Sequence, residues 1–220
     1  MTSSLNPTVF VVDDYAPVRN SISRLLRAAG FLVSVFASAE EFLAQYEPGI
    51  WGCLVLDIAM PALNGLELQD ILTKAGSLLP IIFLTGEGDI PKCVRAMKHG
   101  ANDFLTKPVD EKDLLAAVCV AVDKHRARRR EQLQVTEIRA RLGTLTPRER
   151  EVLEYVVAGK LNKQIAGELG TVEQTIKVHR ARVMQKMRAE SVAELVRLVE
   201  HSRLNGAFTD GALVTQIADC

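Results

Sequence analysis

Three carboxylates, a hydroxyl and an ammonium recur in one pattern along the first half of the chain: each stands where a short apolar run ends. Val9-Phe10-Val11-Val12 runs into Asp13 and Asp14, Cys53-Leu54-Val55-Leu56 into Asp57, a third run into Thr85 and a fourth into Lys107-Pro108. An acid at the end of a buried strand must be solvated or partnered, because an unpaired interior charge is very costly. In one parallel sheet these strand ends share an edge, the edge on which open α/β sheets bind ligands. The chemistry that suits such a set is transient phosphorylation of a carboxylate. Asp13, Asp14 and Asp57 then hold Mg²⁺, a hard cation that prefers oxygen ligands. Asp57 attacks phosphorus in line, and Thr85 and Lys107 hold the new phosphoryl oxygens. A single strand-end Asp is most often a turn residue or a helix cap, so the joint placement on successive strand ends carries the argument.

The elements that must position these groups alternate regularly. After the run 9–12 come Pro17 and the helical spacing Val18, Ile22, Leu25, Leu26, closed by Gly30. Strands are expected at 31–36, 53–56, 80–84 and 103–105, and helices at 65–74, 90–99 and from 111 onward; Ser38 with Glu41 supplies a capping box for a helix around Phe42 and Leu43. Five strands each followed by a helix predict an α/β fold, a doubly wound five-stranded parallel sheet over residues 1–123. Cys53 and Cys119 sit in apolar surroundings and read as small core residues.

These motifs, VVDD, LDIAMP, FLTGEGD and DFLTKPV, resemble the receiver domain of bacterial response regulators over residues 8–122. The resemblance implies that Asp57 accepts phosphoryl from a sensor histidine kinase and that the carbonyl of Ala59 joins the three acids around Mg²⁺. It implies a cis Lys107-Pro108 bond and a switch in which Thr85 moves towards the phosphoryl group and Phe104 turns inward. It also implies a homodimer surface on the fourth helix and fifth strand, carried by Lys92, Arg95 and Asp103.

The formal net charge of zero hides an asymmetry. Up to Asp123 the chain carries 9 Lys and Arg against 15 Asp and Glu, and from Lys124 onward 18 against 12. An acidic front fits cation binding and a basic back fits a polyanion such as DNA. No apolar run approaches the ~20 residues of a membrane span, the first residues lack signal-peptide character, and the four cysteines show no metal-ligand spacing. A cytoplasmic protein with no membrane partner is expected. Residues 124–142 begin with a strongly basic run and lack Pro and Gly, so they read as a linker helix with Leu133, Ile138 and Leu142 as apolar contacts.

In the second half Thr146, Pro147 and Glu149 form a complete helix-start signal, with Val152, Leu153, Val156 and Val157 as the apolar face. Asn162 to Leu169 reads as a short helix, Thr171 with Gln174 caps a third, and Ser191 with Glu194 a fourth. On the third, Val183 and Met187 fall within about 20° of Ile176 at 100° per residue. Gln174, Val178, Ala181 and Gln185 lie opposite, flanked by Lys177, Arg182 and Arg188. Such a face suits the DNA major groove, while Arg180, nearer the core direction, suits a phosphate contact. LTPREREVL, NKQIAGELG and TVEQTIKVHRARVMQKM are similar to the LuxR-type output domain of the NarL and FixJ group, with the receiver leaning towards FixJ. That implies an all-α four-helix helix-turn-helix domain over 143–204 that binds a double-stranded DNA operator through Gln174, Thr175, Lys177, Val178, Arg180, Arg182 and Lys186, with RNA polymerase as a further partner. Residues 205–220 form a tail of unassigned role, in which Leu213, Val214 and Ile217 are candidates for docking. The expectation is a phosphorylation-controlled transcription regulator and not a turnover enzyme. The competing reading, a phosphatase with an aspartyl-phosphate intermediate, requires a substrate pocket or cap insertion that no inter-strand loop is long enough to supply. A phosphate-independent DNA-binding protein leaves the acid, hydroxyl and lysine set without purpose.

Overall fold

The computed structural model describes residues 6–86 and 90–204, with side chains described throughout except at 90–93. The tail residues Leu213, Val214 and Ile217 and the side chain of Lys92 lie outside the described residues. The chain divides into two compact units, residues 1–130 and 131–220.

In the first unit, β1 (Thr8–Val12), β2 (Leu32–Phe36), β3 (Gly52–Asp57), β4 (Ile81–Thr85) and β5 (Asp103–Thr106) form one parallel sheet in the order β2-β1-β3-β4-β5. The order reverses between β1 and β3, where ligands bind in sheets of this kind. Alternate strand residues point to opposite faces, and both faces are covered. Phe10, Val12, Leu54, Leu56 and Phe83 pack in one cluster with Phe42 of α2 (Ala39–Gln45), Leu68 and Leu72 of α3 (Gly65–Lys74) and Ala96 of α4 (Ile90–Lys98). Val9, Val11, Val55, Ile82 and Leu84 pack in another with Ile22 and Leu26 of α1 (Ala16–Ala28) and Leu114, Val118 and Ala121 of α5 (Glu111–Gly143). Strands buried on both faces read as continuous apolar runs, which is why the sequence marks them clearly.

The α5 helix is unbroken over 33 residues, so the expected linker forms its continuation. Its buried stripe Leu114, Ala117, Val118, Ala121, Val122 and His125 leaves Cys119 exposed. The expected core role for Cys119 is therefore wrong: it lies about 100° around the helix from Val118. Leu133 is likewise exposed, whereas Val135, Ile138 and Leu142 are buried.

The second unit packs the end of α5 with α6 (Pro147–Val157), α7 (Asn162–Glu168), α8 (Glu173–Met187) and α9 (Val192–Leu204). Its core joins Ile138, Leu142, Val152, Leu153, Val156, Ile165, Ile176, Val183, Met187, Leu195 and Val199. Thr171 does not cap α8. Its amide is committed to the carbonyl of Ala166 in closing α7, and the N-cap position falls to Val172, which gives no side-chain bond. The α6 start, in contrast, is a full capping box: Thr146 accepts from the Glu149 amide and Glu149 from the Thr146 amide. Glu149 does more than cap. Its carboxylate is buried and takes the Lys186 ammonium of α8 at 2.6 Å, which with the Thr146 amide holds its pKa down to about 2 from the usual 4.5.

Because this pKa is depressed on folding, the stabilisation is complete above about pH 4.5 and is lost as pH falls towards about 2. Glu149→Gln is expected to cost roughly 2 kcal/mol at neutral pH. Urea unfolding followed by far-UV circular dichroism should show the difference from the parent chain shrinking over that acid window.

Candidate functional site

The parallel register brings the strand ends level. Val12 is opposite Leu56 and Asp57 opposite Leu84, and Thr85 is opposite Thr106. Asp13 therefore leaves β1 beside the end of β3, which Asp57 closes, and Lys107 leaves β5 beside Thr85. One carboxylate oxygen from each of Asp13, Asp14 and Asp57 lies within 4.8 Å of the others. Asp13 and Asp57 are buried and Asp14 is exposed.

The Lys107 ammonium spans the two buried acids, 2.8 Å from Asp13 Oδ2 and 3.0 Å from Asp57 Oδ2. Burial works against that charge, but the hydrogen bonds to Asp13 and Asp57 and their charges outweigh it and hold the Lys107 pKa above the ordinary lysine value. Further bonds fix the frame. Asp13 accepts from the Tyr15 amide through Oδ1 at 2.8 Å, its carbonyl accepts from Arg19 at 2.6 Å, and the Lys107 amide donates to the Thr85 carbonyl at 2.8 Å. The Lys107-Pro108 bond is cis. Asp57 Oδ1 accepts from the Ala59 amide at 3.3 Å. The Thr85 hydroxyl, although buried, donates to the Gly86 carbonyl at 3.1 Å, and Phe104 is exposed.

Three carboxyl groups converge here with one ammonium, and the ligand atoms they offer are all oxygen. That donor set fits a hard divalent cation such as Mg²⁺. On the neighbouring surface Arg95 pairs with Asp70 at 3.3 Å and Asp103 accepts from the Phe104 amide at 2.9 Å.

In the second unit α8 turns Ile176, Val183 and Met187 fully inward, and leaves Gln174, Lys177, Val178, Ala181, Arg182 and Gln185 exposed. Thr175 and Arg180 are half-buried, and Arg180 donates to Asn162 Oδ1 at 3.0 Å. Lys177 pairs with Glu173 at 3.1 Å on the surface, a contact worth little in water.

Two family models match the chain: the response regulator receiver domain over residues 9–119, and the luxR family of bacterial regulatory proteins over residues 143–199. Nodulation protein W of Bradyrhizobium diazoefficiens is 44% identical over 94% of this chain and 92% of its own length. The transcriptional regulatory protein FixJ of the same organism is 44% identical over 86% and 93%. The solved structure of the response regulator StyR has 48% identity and a TM-score of 0.82, covering 89% of this chain and 98% of its own. The chain belongs to the response regulators with a luxR-family DNA-binding domain. It is a transcriptional regulator of the two-component type.

In this response regulator one expected DNA contact also has a partner within the fold. The Lys186 ammonium is held by the buried Glu149 and by the Thr144 carbonyl at 3.0 Å, so it ties α8 to the start of α6. The helical angle gives the direction of a side chain and is silent on a buried acid 37 residues away.

Sequence reasoning also passed over Gly65. A Cβ there would lie 2.3 Å from the Asp57 carbonyl oxygen, while the Gly65 amide donates to the Ile58 carbonyl at 3.1 Å. Only a glycine lets the first turn of α3, capped reciprocally by Asn64 and Glu67, close against the backbone of Asp57. The pair Asn64-Gly65 followed by Glu67 was the available signal. Gly65→Ala is expected to destabilise the chain by about 2 kcal/mol, as overpacking against backbone does. A urea midpoint unchanged from the parent would remove this close approach from the description of the site.

Proposed function

We propose that Asp57 is the phosphoryl acceptor of this response regulator and that a sensor histidine kinase is the donor. The observation that carries the reading is the Lys107 ammonium set between Asp13 and Asp57 at a sheet edge that also holds Asp14 and Thr85. Asp13, Asp14, Asp57 and the Ala59 carbonyl are the oxygens that would hold Mg²⁺, whose chemistry there is to screen the incoming phosphoryl oxygens. An Asp57 carboxylate oxygen forms the new bond to phosphorus as the bond from phosphorus to the kinase imidazole breaks. Lys107 then exchanges its contact with Asp57 for a phosphoryl oxygen. The Thr85 hydroxyl leaves the Gly86 carbonyl to donate to another, and Phe104 turns into the space that Thr85 vacates. The end of α4 and β5, with Lys92, Arg95 and Asp103, becomes the homodimer surface.

The receiver, residues 1–123, is joined by the helical linker 124–142 to the DNA-binding domain, 143–204. Gln174, Lys177, Val178 and Arg182 read an operator in the major groove, with Thr175 and Arg180 towards its phosphates. The phosphoryl group serves as a signal and not as a turnover intermediate. The bound dimer acts with RNA polymerase in the cytoplasm. Among the described residues no helix is long and apolar enough to cross a membrane.

With Mg²⁺ and a small phosphodonor, the wild type is expected to take up one phosphoryl group and Asp57→Asn none; labelling of that variant at another residue would refute the assignment. Lys177→Ala is expected to weaken operator binding about tenfold, the worth of one good base contact, with phosphorylation unchanged. Footprints that do not respond to it would move the reading face away from this side of α8.

A further inference from the structure

The ladder between β3 and β4 has a gap at its start. The Leu54 amide donates to the Pro80 carbonyl at 2.9 Å, with Leu54 opposite Ile81. In a parallel ladder of this register the preceding bond runs from the amide of residue 80 to the carbonyl of Gly52. Residue 80 is proline, which has no N–H to give. Gly52 is buried, so its carbonyl and its amide, which point to the same side of the strand, need a partner from elsewhere.

His125 of α5 supplies it. The residue is 5% exposed, with Nδ1 2.9 Å from the Gly52 carbonyl oxygen and 3.1 Å from the Gly52 amide nitrogen. A neutral imidazole can serve either group: with its proton on Nδ1 it donates to the carbonyl, and with its proton on Nε2 it accepts from the amide. An imidazolium can only donate, and it sets a cation against the amide hydrogen. Two neighbours on the helix extend the contact. Arg126 stacks over Trp51 at 4.9 Å, and Arg129 donates to the Gly49 carbonyl at 2.5 Å. Together the three clasp α5, just beyond Val122, to the loop that leads into β3. Gly49, Trp51 and Gly52 bring no charge to this contact. The charged groups acting on His125 are Arg129 and Arg128 of its own helix, both cations, and its neighbours in the chain, Lys124 and Arg126, are cations too. Burial above all, and then the two arginines, hold the His125 pKa below the usual 6.5; the bond to the Gly52 carbonyl works the other way and is outweighed.

We propose that His125 is a proton-sensitive latch: the neutral imidazole completes the start of the β3 ladder and holds residues 124–130 of α5 against the receiver, and the imidazolium lets that segment go. Because the pKa is lowered by docking, the hold is complete above about pH 6.5 and is lost as pH falls through the lower value of the docked ring. These residues begin the linker, so the proton decides whether its first turns are anchored to the β3 loop or continue unsupported from the stripe that ends at Val122. The latch is independent of the phosphorylation reading, because it engages the end of β3 opposite to Asp57.

The test follows the full chain between pH 7.5 and 5 by three measurements: the imidazole resonances of His125, the emission of Trp51, the single tryptophan, and hydrogen exchange of residues 122–130 corrected for its intrinsic pH dependence. His125 is expected to titrate below pH 6.5, with loss of exchange protection over 124–130 and a red shift of Trp51 emission at the same midpoint. His125→Gln and His125→Phe, which cannot take up a proton, should show neither change over this range, and far-UV circular dichroism checks that they are folded. Asp57→Asn should show both changes as the parent does, which separates the latch from the phosphorylation site. Protection and emission that stay flat from pH 7.5 to 5, or the same transition in His125→Phe, would overturn the proposal. So would loss of the transition in Asp57→Asn, or a His125 ring that titrates at or above pH 6.5 in the parent chain, whatever the variants do.

Discussion

The ammonium of Lys107, suspended between Asp13 and Asp57, is the constraint on which the first unit depends. Two carboxylates buried beside each other repel. One lysine at the start of the chain after β5 answers both. For it to reach them, β1, β3, β4 and β5 must end level, and the parallel register with α-helical crossovers supplies that alignment. The apolar interiors of the strands are therefore the means by which five polar groups, separated by up to 94 residues in sequence, become one cluster.

The second unit answers a related problem with a different geometry. Glu149 is buried at the first turn of α6, where the helix dipole and the Thr146 amide favour its charge, and Lys186 reaches it from α8. Breaking such a pair leaves a buried charge without a partner, which is far more costly than the pair is favourable. The pair thus fixes the placement of the helix bearing the exposed face Gln174, Lys177, Val178 and Arg182. Arg180, held by Asn162, adds a second tie between α8 and α7.

Much of this was legible in the sequence because the signals were local or periodic. Runs buried on both sides marked β1, β3 and β4; Thr146, Pro147 and Glu149 marked α6; and a 100° rotation set Ile176, Val183 and Met187 inward. What escaped was non-local. Lys186 reads as one more cation on a basic helix until the buried acid beside it is seen. Gly65 reads as the first residue of a helix until the Asp57 backbone is placed 2.3 Å from its missing Cβ. Thr171 has the right chemistry for a cap, but α8 starts one residue later, which leaves its hydroxyl outside the capping position. Cys119 shows the limit of composition as a guide, since an apolar neighbourhood along the chain is not an apolar neighbourhood around a helix.

The commitment of Lys186 to Glu149 has a consequence for how the protein responds to its ionic surroundings. Binding to DNA releases one condensed counterion for nearly every phosphate that a cation neutralises, which sets the steepness with which affinity falls as salt rises. A cation already neutralised inside the fold releases none. The helix carries Lys177, Arg180, Arg182 and Lys186, and of these Lys186 is held by a carboxylate buried in the fold, whereas the partner of Lys177 is a surface one. On the proposed reading face Lys186 would accordingly add less to the salt dependence of binding than its place on the helix suggests.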